Sequence, residues 1–559
     1  MTLLSQILAR RMRLIAPATL DVACERDLPA VMDDGAVLLA DRWCARDGGP
    51  PRPRPTVLVR SPYGRRQLVG LLLGRLPAER GLQVVVQSVR GTFGSGGEFT
   101  PFRERDDGLA TLRWLRSQQW HAGPVGTIGP SYLGFVQWAV AGEGGDLAAM
   151  SIHVSASEFY GQTYAGGSVS LENVVSWMAI LAVQERRLAP VAINRALRGL
   201  PSVMSELPLD GLDERATGAP VPWFRDAFTS RRRDDPYWAS RDHSAAVPGV
   251  TAPVQFVGGW YDILLPWMLA DFEALQAAGR APQLLIGPWT HIAPGLTAAA
   301  ERDGIAWLRA HLLGDDRLVR RTPVRLLVTG ERAGGGWRDL PAWPPPGVGE
   351  RRLFLAGGGL AGGGRLEDRP PRDDDDAGTA PDRYRYDPAD PTPALGGPVL
   401  LARRAVLDNA PLEARPDVLT YTTAPLPATL EAIGHVRVQL WARASRPHFD
   451  LFARVCDVGA DGVSRNVCDA LSTVSPSDGV EPGCDGAWQV AFELWPIGHR
   501  FAAGNRVRLQ VSSGAHPRYA RNPGTGEGPA TATIMVAVEI ELLHDAEHPS
   551  ALVLPAMPS

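Results

Sequence analysis

At 559 residues the chain is longer than one hydrophobic core supports, and it predicts two or three domains. Its net charge of −4, with no basic stripe, argues against nucleic acid as a partner, and no apolar run approaches membrane-spanning length. Every one of its 57 lysine-plus-arginine cations is arginine. The missing ammonium excludes pyridoxal Schiff-base enzymes, Walker-A phosphate loops and Ser–Lys hydrolases together.

Met1 to Ile15 carries arginines but lacks a continuous apolar core and a small-residue cleavage site, so no signal peptide is read there. Cys24, Cys44, Cys456, Cys468 and Cys484 are scattered, odd in number and without metal-ligand spacing. They predict reduced thiols in a cytoplasmic protein, with no metal and no cofactor. From Asp21 the chain opens with a hairpin turned at Asp33-Asp34-Gly35 and then alternates strands with helices. The glycines of Gly91 to Gly97 lack the Lys-Ser/Thr of a phosphate loop and read as a turn. A helix is expected over Glu104 to Gln119, burying Leu109, Leu112 and Leu115.

The run Val125-Gly126-Thr127-Ile128-Gly129-Pro130-Ser131-Tyr132-Leu133-Gly134-Phe135-Val136 carries the chemistry. A β-branched strand ends at Gly129, and an apolar helix starts just after Ser131. A serine in such a turn is a nucleophile elbow, its backbone strained so that Oγ stands above the sheet edge. The pattern is Gly129-x-Ser131-x-x-Gly134 rather than G-x-S-x-G, with Leu133 where the second glycine would stand. The helix N-terminus aims its N–H groups at any oxyanion that forms there.

The partners follow in the order serine, acid, histidine. Ala156 to Ala246 breaks the alternation, and the helix-like stretch Leu171 to Leu197 lies within it. The basic run Arg231-Arg232-Arg233 there reads as a solvated face. This segment is expected to form a helical cap. A strand then breaks at Gly258-Gly259 and delivers Asp262, and the next breaks at Gly287-Pro288 and delivers His291. The stretch Leu264 to Ala278 between them fits one crossover helix. The sheet closes with a helix over Ile305 to Leu313.

Beyond Arg321 the texture is all-β, with alternating strands such as Val436 to Trp441 and Val507 to Val511. Gly357 to Gly378 reads as a mobile surface loop. His544-Asp545-Ala546-Glu547-His548 matches the zinc-protease pattern H-x-x-E-H, but it follows a strand-like run and meets Pro549, so a loop is expected. The expected organisation is α/β: residues 1–155 and 247–320 an α/β-hydrolase domain, 156–246 the cap, and 321–559 a β-sandwich.

These segments resemble the group of serine hydrolases that holds cocaine esterase, α-amino-acid ester hydrolase and Xaa-Pro dipeptidyl-peptidase. The elbow matches the group's G-x-S-Y-x-G. Gly259-Trp260-Tyr261-Asp262 and Gly287-Pro288-Trp289-Thr290-His291 match its acid and base motifs. Arg60-Ser61-Pro62-Tyr63 is similar to its R-x-P-Y, and the run from Arg90 to Phe99 to another of its segments. Pro130 and Ser88-Val89 depart from the pattern. The resemblance implies that the C-terminal sandwich is a jelly roll and that the Tyr63 phenol is an oxyanion donor.

The expected activity is cleavage of an ester or amide in a small molecule through an acyl-enzyme on Ser131. His291 acts as base, Asp262 orients it, and the Tyr132 N–H and Tyr63 meet the oxyanion. Trp260, Tyr261, Ile263, Tyr160 and Trp177 are candidates for an apolar substrate pocket. Alternatives are release of X-Pro dipeptides, an acylase activity, or acyl transfer to an acceptor other than water. A peptidase needs a clamp for the substrate ammonium, for which Glu158, Glu172 and Asp235 are available. The extra N-terminal domain of the larger peptidases is not expected in this chain, which favours an esterase. No membrane partner is expected, and a homodimer stays open as the assembly.

Overall fold

The computed structural model describes residues 2–46, 53–142, 146–330, 336–359, 363–372, 380–476 and 481–558. The chain forms two compact units. The first holds Met1–Phe159, Gln184–Arg187 and Arg232–Arg325; the second holds Tyr160–Val183, Leu188–Arg231 and Leu326–Ser559.

The first unit is built on β1 (Val22–Val31), β2 (Val37–Ala45), β3 (Arg54–Ser61), β4 (Gln83–Ser88), β5 (His121–Pro130), β6 (Leu147–His153), β7 (Val254–Tyr261) and β8 (Gln283–Thr290). Their order is β1-β2-β4-β3-β5-β6-β7-β8. The hairpin β1–β2 turns at Asp33-Asp34-Gly35, and β2 pairs antiparallel with β4. From β4 onward every pairing is parallel. Runs such as Val84-Val85-Val86 are buried on both faces, as parallel strands covered by helices must be. Leu112, Leu115 and Val140, from the helices Arg105–Arg116 and Tyr132–Ala141, cover Leu58, Val85 and Val125 on one face. The helix Pro294–Leu313 covers the other: a Cβ on Gly126 would strike Leu308, and Gly304 lies against Ile128. Alternation along β5 puts Val125 and Gly126 on opposite faces.

Three expectations are corrected. The closing helix starts at Pro294 instead of Ile305, because Pro294 presets the first turn and Leu296, Ala299 and Ala300 extend the buried face. The stretch Leu171 to Leu197 is not one helix but two, Leu171–Val183 and Ala189–Met204. The polar residues between them bond outward: Gln184 Nε2 donates to the Pro62 carbonyl at 2.9 Å, and Glu185 accepts the Phe93 N–H at 3.0 Å. Strands β7 and β8 run through their glycines: the missing side chains of Gly259 and Gly287 make room for Trp289, and that of Gly258 for Met268.

Among the described residues of the second unit, pairings such as those of Phe449–Val458 with Ser464–Val474 and with Arg506–Ser512 are antiparallel, while Gly364–Glu367 runs parallel to Leu419–Thr422. Gly364–Glu367 lies inside the expected loop Gly357 to Gly378, of which residues 360–362 and 373–379 fall outside the described residues. It forms because its other edge pairs antiparallel with Phe354–Ala356. Phe449–Val458 is buried along its whole length. There Asp469, fully buried, accepts Arg454 Nη2 at 2.9 Å and is also bound by Arg518. The helical residues of this unit are stitched to its strands and loops. Ala520 N–H donates to Val169, Glu172 N–H to Pro517, and Leu400 N–H to the Asn173 side chain. The H-x-x-E-H segment is a loop after the strand Val538–Leu543, with His544 hydrogen-bonded to Asp382 and His548 to Asp545. All five cysteines are free thiols. Among the described residues no helix is long and apolar enough to cross a membrane.

Glu301 lies inward on the helix Pro294–Leu313, 3% exposed, and burial pushes its carboxyl up from 4.5 to about 8 against the opposing pull of Arg80. In that window the folded chain keeps a proton that the unfolded chain has released. Stability measured by urea unfolding should therefore fall as pH rises from about 4.5 to about 8, and Glu301→Gln should flatten the decline. An unchanged slope in the variant would show that Glu301 is already ionised in the fold.

Candidate active site

The carboxyl end of β5 passes straight into the helix Tyr132–Ala141, with Ser131 as the single residue between them. Ser131 has φ 55° and ψ −124°, outside the regions an L-residue favours. Strain of this kind costs about 1–3 kcal/mol and persists only where the surroundings enforce it. A Cβ on Gly129 would stand 2.4 Å from Leu133 Cβ, and one on Gly134 would stand 2.4 Å from Ser155 Cβ. Strand and helix can meet this closely only through the two glycines, and the turn between them has no room to relax. Among the described residues, the hydrogen bonds of Ser131 run through its backbone. Its N–H donates to the His153 carbonyl at 2.8 Å, and its carbonyl accepts Gly134 N–H at 2.8 Å and Phe135 N–H at 3.1 Å. Three such bonds, each worth about 1 kcal/mol net, are of the size needed to offset the strain. The N-terminus of the helix, with the positive end of its dipole, faces this turn, which suits it to an oxyanion.

Asp262 and His291 come from the ends of the adjacent strands β7 and β8. Asp262 Oδ2 lies 2.6 Å from His291 Nδ1. Asp262 Oδ1 accepts the Leu264 N–H at 2.9 Å, which fixes the carboxylate in its plane. Both side chains are sheltered, at 1% and 7% exposed. The carboxylate holds the proton on Nδ1 and leaves Nε2 as the basic nitrogen. Gly259 pairs with Gly287 and Tyr261 with Thr290, so β8 carries one extra residue in that interval. This bulge turns the strand end that delivers His291. Trp289 fills the space beside it, its carbonyl 2.2 Å from where a Cβ on Gly259 would lie.

Tyr63 follows β3, partly exposed, with its N–H donating to Ser61 Oγ at 3.0 Å. The buried Arg65 anchors this loop, donating to Asp41 at 3.0 Å, Ser88 at 3.1 Å and the Phe93 carbonyl at 2.7 Å. The Gly91 to Gly97 turn packs here too, with the Phe93 ring against Gly64. Tyr132 is fully buried, and its hydroxyl donates to Glu104 Oε1 at 2.5 Å. Of the pocket candidates, Trp260, Tyr261 and Ile263 flank Asp262 in the chain and are buried. Tyr160 and Trp177 belong to the second unit, where Tyr160 stacks on Tyr164 and Trp177 packs against Trp223. Other histidines of the first unit are engaged elsewhere. Burial pushes His153 down to about 3, with its ring on Ser151, and His243 down to about 4, packed on Phe135.

Residues that motif reading missed support these groups. Glu104, Gln184 and Glu185 carry no motif, and only the N-cap position of Glu104, just ahead of the helix, could have marked it; Arg60 opens the R-x-P-Y run, but that resemblance gave it no role. A cavity of about 490 Å³ opens by that N-cap, lined by Asp33, Asp34, Arg90, Glu98, Glu104 and Asp107. Its charged walls do not suit an apolar acyl group, and its lining includes none of Ser131, Asp262 and His291.

Comparison with known proteins gives the family and the fold. Residues 34–293 match the profile of the X-Pro dipeptidyl-peptidase (S15 family), and residues 319–553 match the C-terminal non-catalytic domain of X-Pro dipeptidyl-peptidase. Cocaine esterase of Rhodococcus sp. (strain MB1 Bresler) is 31% identical over 574 aligned residues, covering 94% of this chain and 97% of that protein. The chain belongs to the cocaine esterase family of serine hydrolases. In fold it is similar to an α-amino acid ester hydrolase, at TM-score 0.78 and 22% identity, with 96% of this chain and 97% of that one covered. An aminopeptidase of a marine sediment Thaumarchaeota archaeon matches at TM-score 0.78 and 20% identity, with the same coverage. The protein is thus a hydrolase with an α/β-hydrolase catalytic domain and an all-β C-terminal domain, and both ester and peptide cleavage occur among its kin.

Gly134→Ala should cost about 1–3 kcal/mol by driving a methyl into Ser155, seen as a Tm lower by several degrees. Gly199→Ala, which meets nothing within 4 Å, should leave Tm equal or higher. Equal Tm values for the two variants would mean that the elbow is looser than its contacts indicate.

Proposed function

We propose that the protein is an esterase acting on small-molecule substrates through an acyl-enzyme on Ser131. The observation that carries this reading is the 2.6 Å contact of His291 Nδ1 with Asp262, on strand ends that follow the strained Ser131 in the serine, acid, histidine order. His291 Nε2 takes the proton from Ser131 Oγ as the oxygen adds to the ester carbonyl. The tetrahedral oxyanion then receives hydrogen bonds from the Tyr132 N–H and the Tyr63 hydroxyl. Collapse expels the alcohol, which takes the proton back from His291, and water repeats the sequence to release the acid. Asp262 keeps the imidazole in its working tautomer and stabilises the imidazolium without being protonated. The five free thiols support a cytoplasmic location, and the antiparallel pairing of the C-terminal strands supports a jelly roll.

Release of X-Pro dipeptides is the second reading, favoured by the family profile over residues 34–293. It needs a carboxylate for the substrate ammonium. Of the three candidates, Glu158 is buried 3.7 Å from Arg233 and Asp235 accepts the Arg232 N–H, so both already have partners, while burial disfavours the charged form of Glu172 that an ammonium would need. Esters are therefore preferred.

A panel of p-nitrophenyl esters against amino-acyl and X-Pro p-nitroanilides separates the two readings. Acyl esters should be turned over fastest, and Ser131→Ala should abolish that turnover. His291→Ala should be as damaging as Ser131→Ala, since the two act as one unit. Faster turnover of the X-Pro anilides would replace the esterase reading, and an active Ser131→Ala variant would remove the acyl-enzyme. Tyr63→Phe should lower kcat by about 100-fold with KM little changed, the usual effect of losing one oxyanion donor. A raised KM at constant kcat would make Tyr63 a binding residue instead.

A further inference from the structure

The Tyr132 side chain is held at its tip and on its ring face by groups no motif includes. Its hydroxyl donates to Glu104 Oε1 at 2.5 Å and accepts the Phe102 N–H at 2.9 Å. The Phe102 ring stacks on it, with centroids 5.2 Å apart and planes at 29°. Glu104 is itself fixed. Its Oε2 lies 2.9 Å from Arg60 Nη2, and its backbone carbonyl accepts Arg60 Nη1 at 2.9 Å. Arg60 in turn donates from Nε to Gln87 on β4 at 3.0 Å. Arg60 and Glu104 are 2% and 4% exposed, and burial pushes the Glu104 carboxyl up while Arg60 pulls it down. Two ionisable groups placed this deep are costly unless the pair does something apolar residues could not.

Tyr132 is the residue directly after Ser131. Its phenol is the far end of a lever whose near end is the Ser131–Tyr132 peptide, the unit that carries the strained ψ of −124°. An oxyanion donor acts only while it points at the place where charge develops, and its worth lies in not having to reorganise. On the reading that Ser131 is the nucleophile, we propose that Glu104, held by Arg60, is a positioning residue. It anchors the Tyr132 hydroxyl and so aims the Tyr132 N–H at the oxyanion. Glu104 touches no reacting atom. Its effect falls on the transition state and not on ground-state binding, which separates it from an ordinary core ion pair.

The test compares Tyr132→Phe, Glu104→Ala and the double variant, with rates expressed per site titrated by a p-nitrophenyl phosphonate. Phenylboronic acid, which forms a tetrahedral adduct with a serine, reports on the oxyanion site. Tyr132→Phe should lower kcat by about tenfold, weaken the boronate Ki by a similar factor and leave KM within about twofold. The double variant should be no worse than the worse single one, because both break one chain. Unchanged kcat and Ki in Tyr132→Phe would overturn the proposal, as would losses confined to Tm and to the fraction of titratable sites. Should Glu104→Ala fail to fold, Tyr132→Phe decides alone. If the unmodified enzyme bound no boronate, the reading of Ser131 would itself fall, and this proposal with it.

Discussion

Ser131 sits at φ 55° because β5 and the helix after it approach more closely than side chains allow, and this close approach organises the first unit. Leu133 occupies the space a side chain at Gly129 would need, and Ser155, just past the end of β6, occupies the space beside Gly134. The Ser131 N–H is satisfied by the β6 residue His153. The turn therefore depends on β6 lying beside β5, and β6 in turn pairs with β7, the strand that leads to Asp262. Strain at one residue is held in place by the order of the whole sheet.

The meeting of Asp262 and His291 depends on a different irregularity. A regular β8 would end in register with β7, whereas the extra residue between Gly287 and Thr290 turns its end, and Trp289 fills the gap. Asp262 turns one oxygen to the Leu264 backbone N–H and the other to the imidazole. Around the oxyanion side, rigidity comes from arginine forks. Arg60 ties β3 to β4 and to the cap of a helix, and Arg65 ties the loop after β3 to β2 and β4. The first unit thus places its candidate site residues on loops and strand ends but fixes those loops from the sheet.

The serine, acid and histidine were legible because each stands at a strand end marked by glycine or proline, in a chain order few folds share. The parallel strands were legible from their unbroken β-branched runs. Other features depend on tertiary partners. The division of Leu171 to Leu197 was hidden because Gln184 and Glu185 bond to Pro62 and Phe93, far away in the chain. Gly258-Gly259 and Gly287-Pro288 look like strand breakers, yet the strands continue, because the glycines yield space to Met268 and Trp289 instead of ending a ladder. The early start at Pro294 shows helix and loop chemistry in conflict: a proline after a histidine loop reads as punctuation until the face behind it is seen to be buried. Glu104 had no signal beyond its place ahead of a helix, since a buried carboxylate is not distinguishable from a surface one by letter alone.

The arginine-only cation set has a consequence for alkaline solution. An ammonium in place of Arg60, Arg65 or Arg454 would begin to discharge near pH 10, leaving Glu104, Asp41 or Asp469 as an unbalanced anion in the interior. A guanidinium keeps its proton beyond pH 12. A chain without ammonium groups thus lacks one common route to alkaline unfolding, the loss of an internal positive charge beside a buried carboxylate.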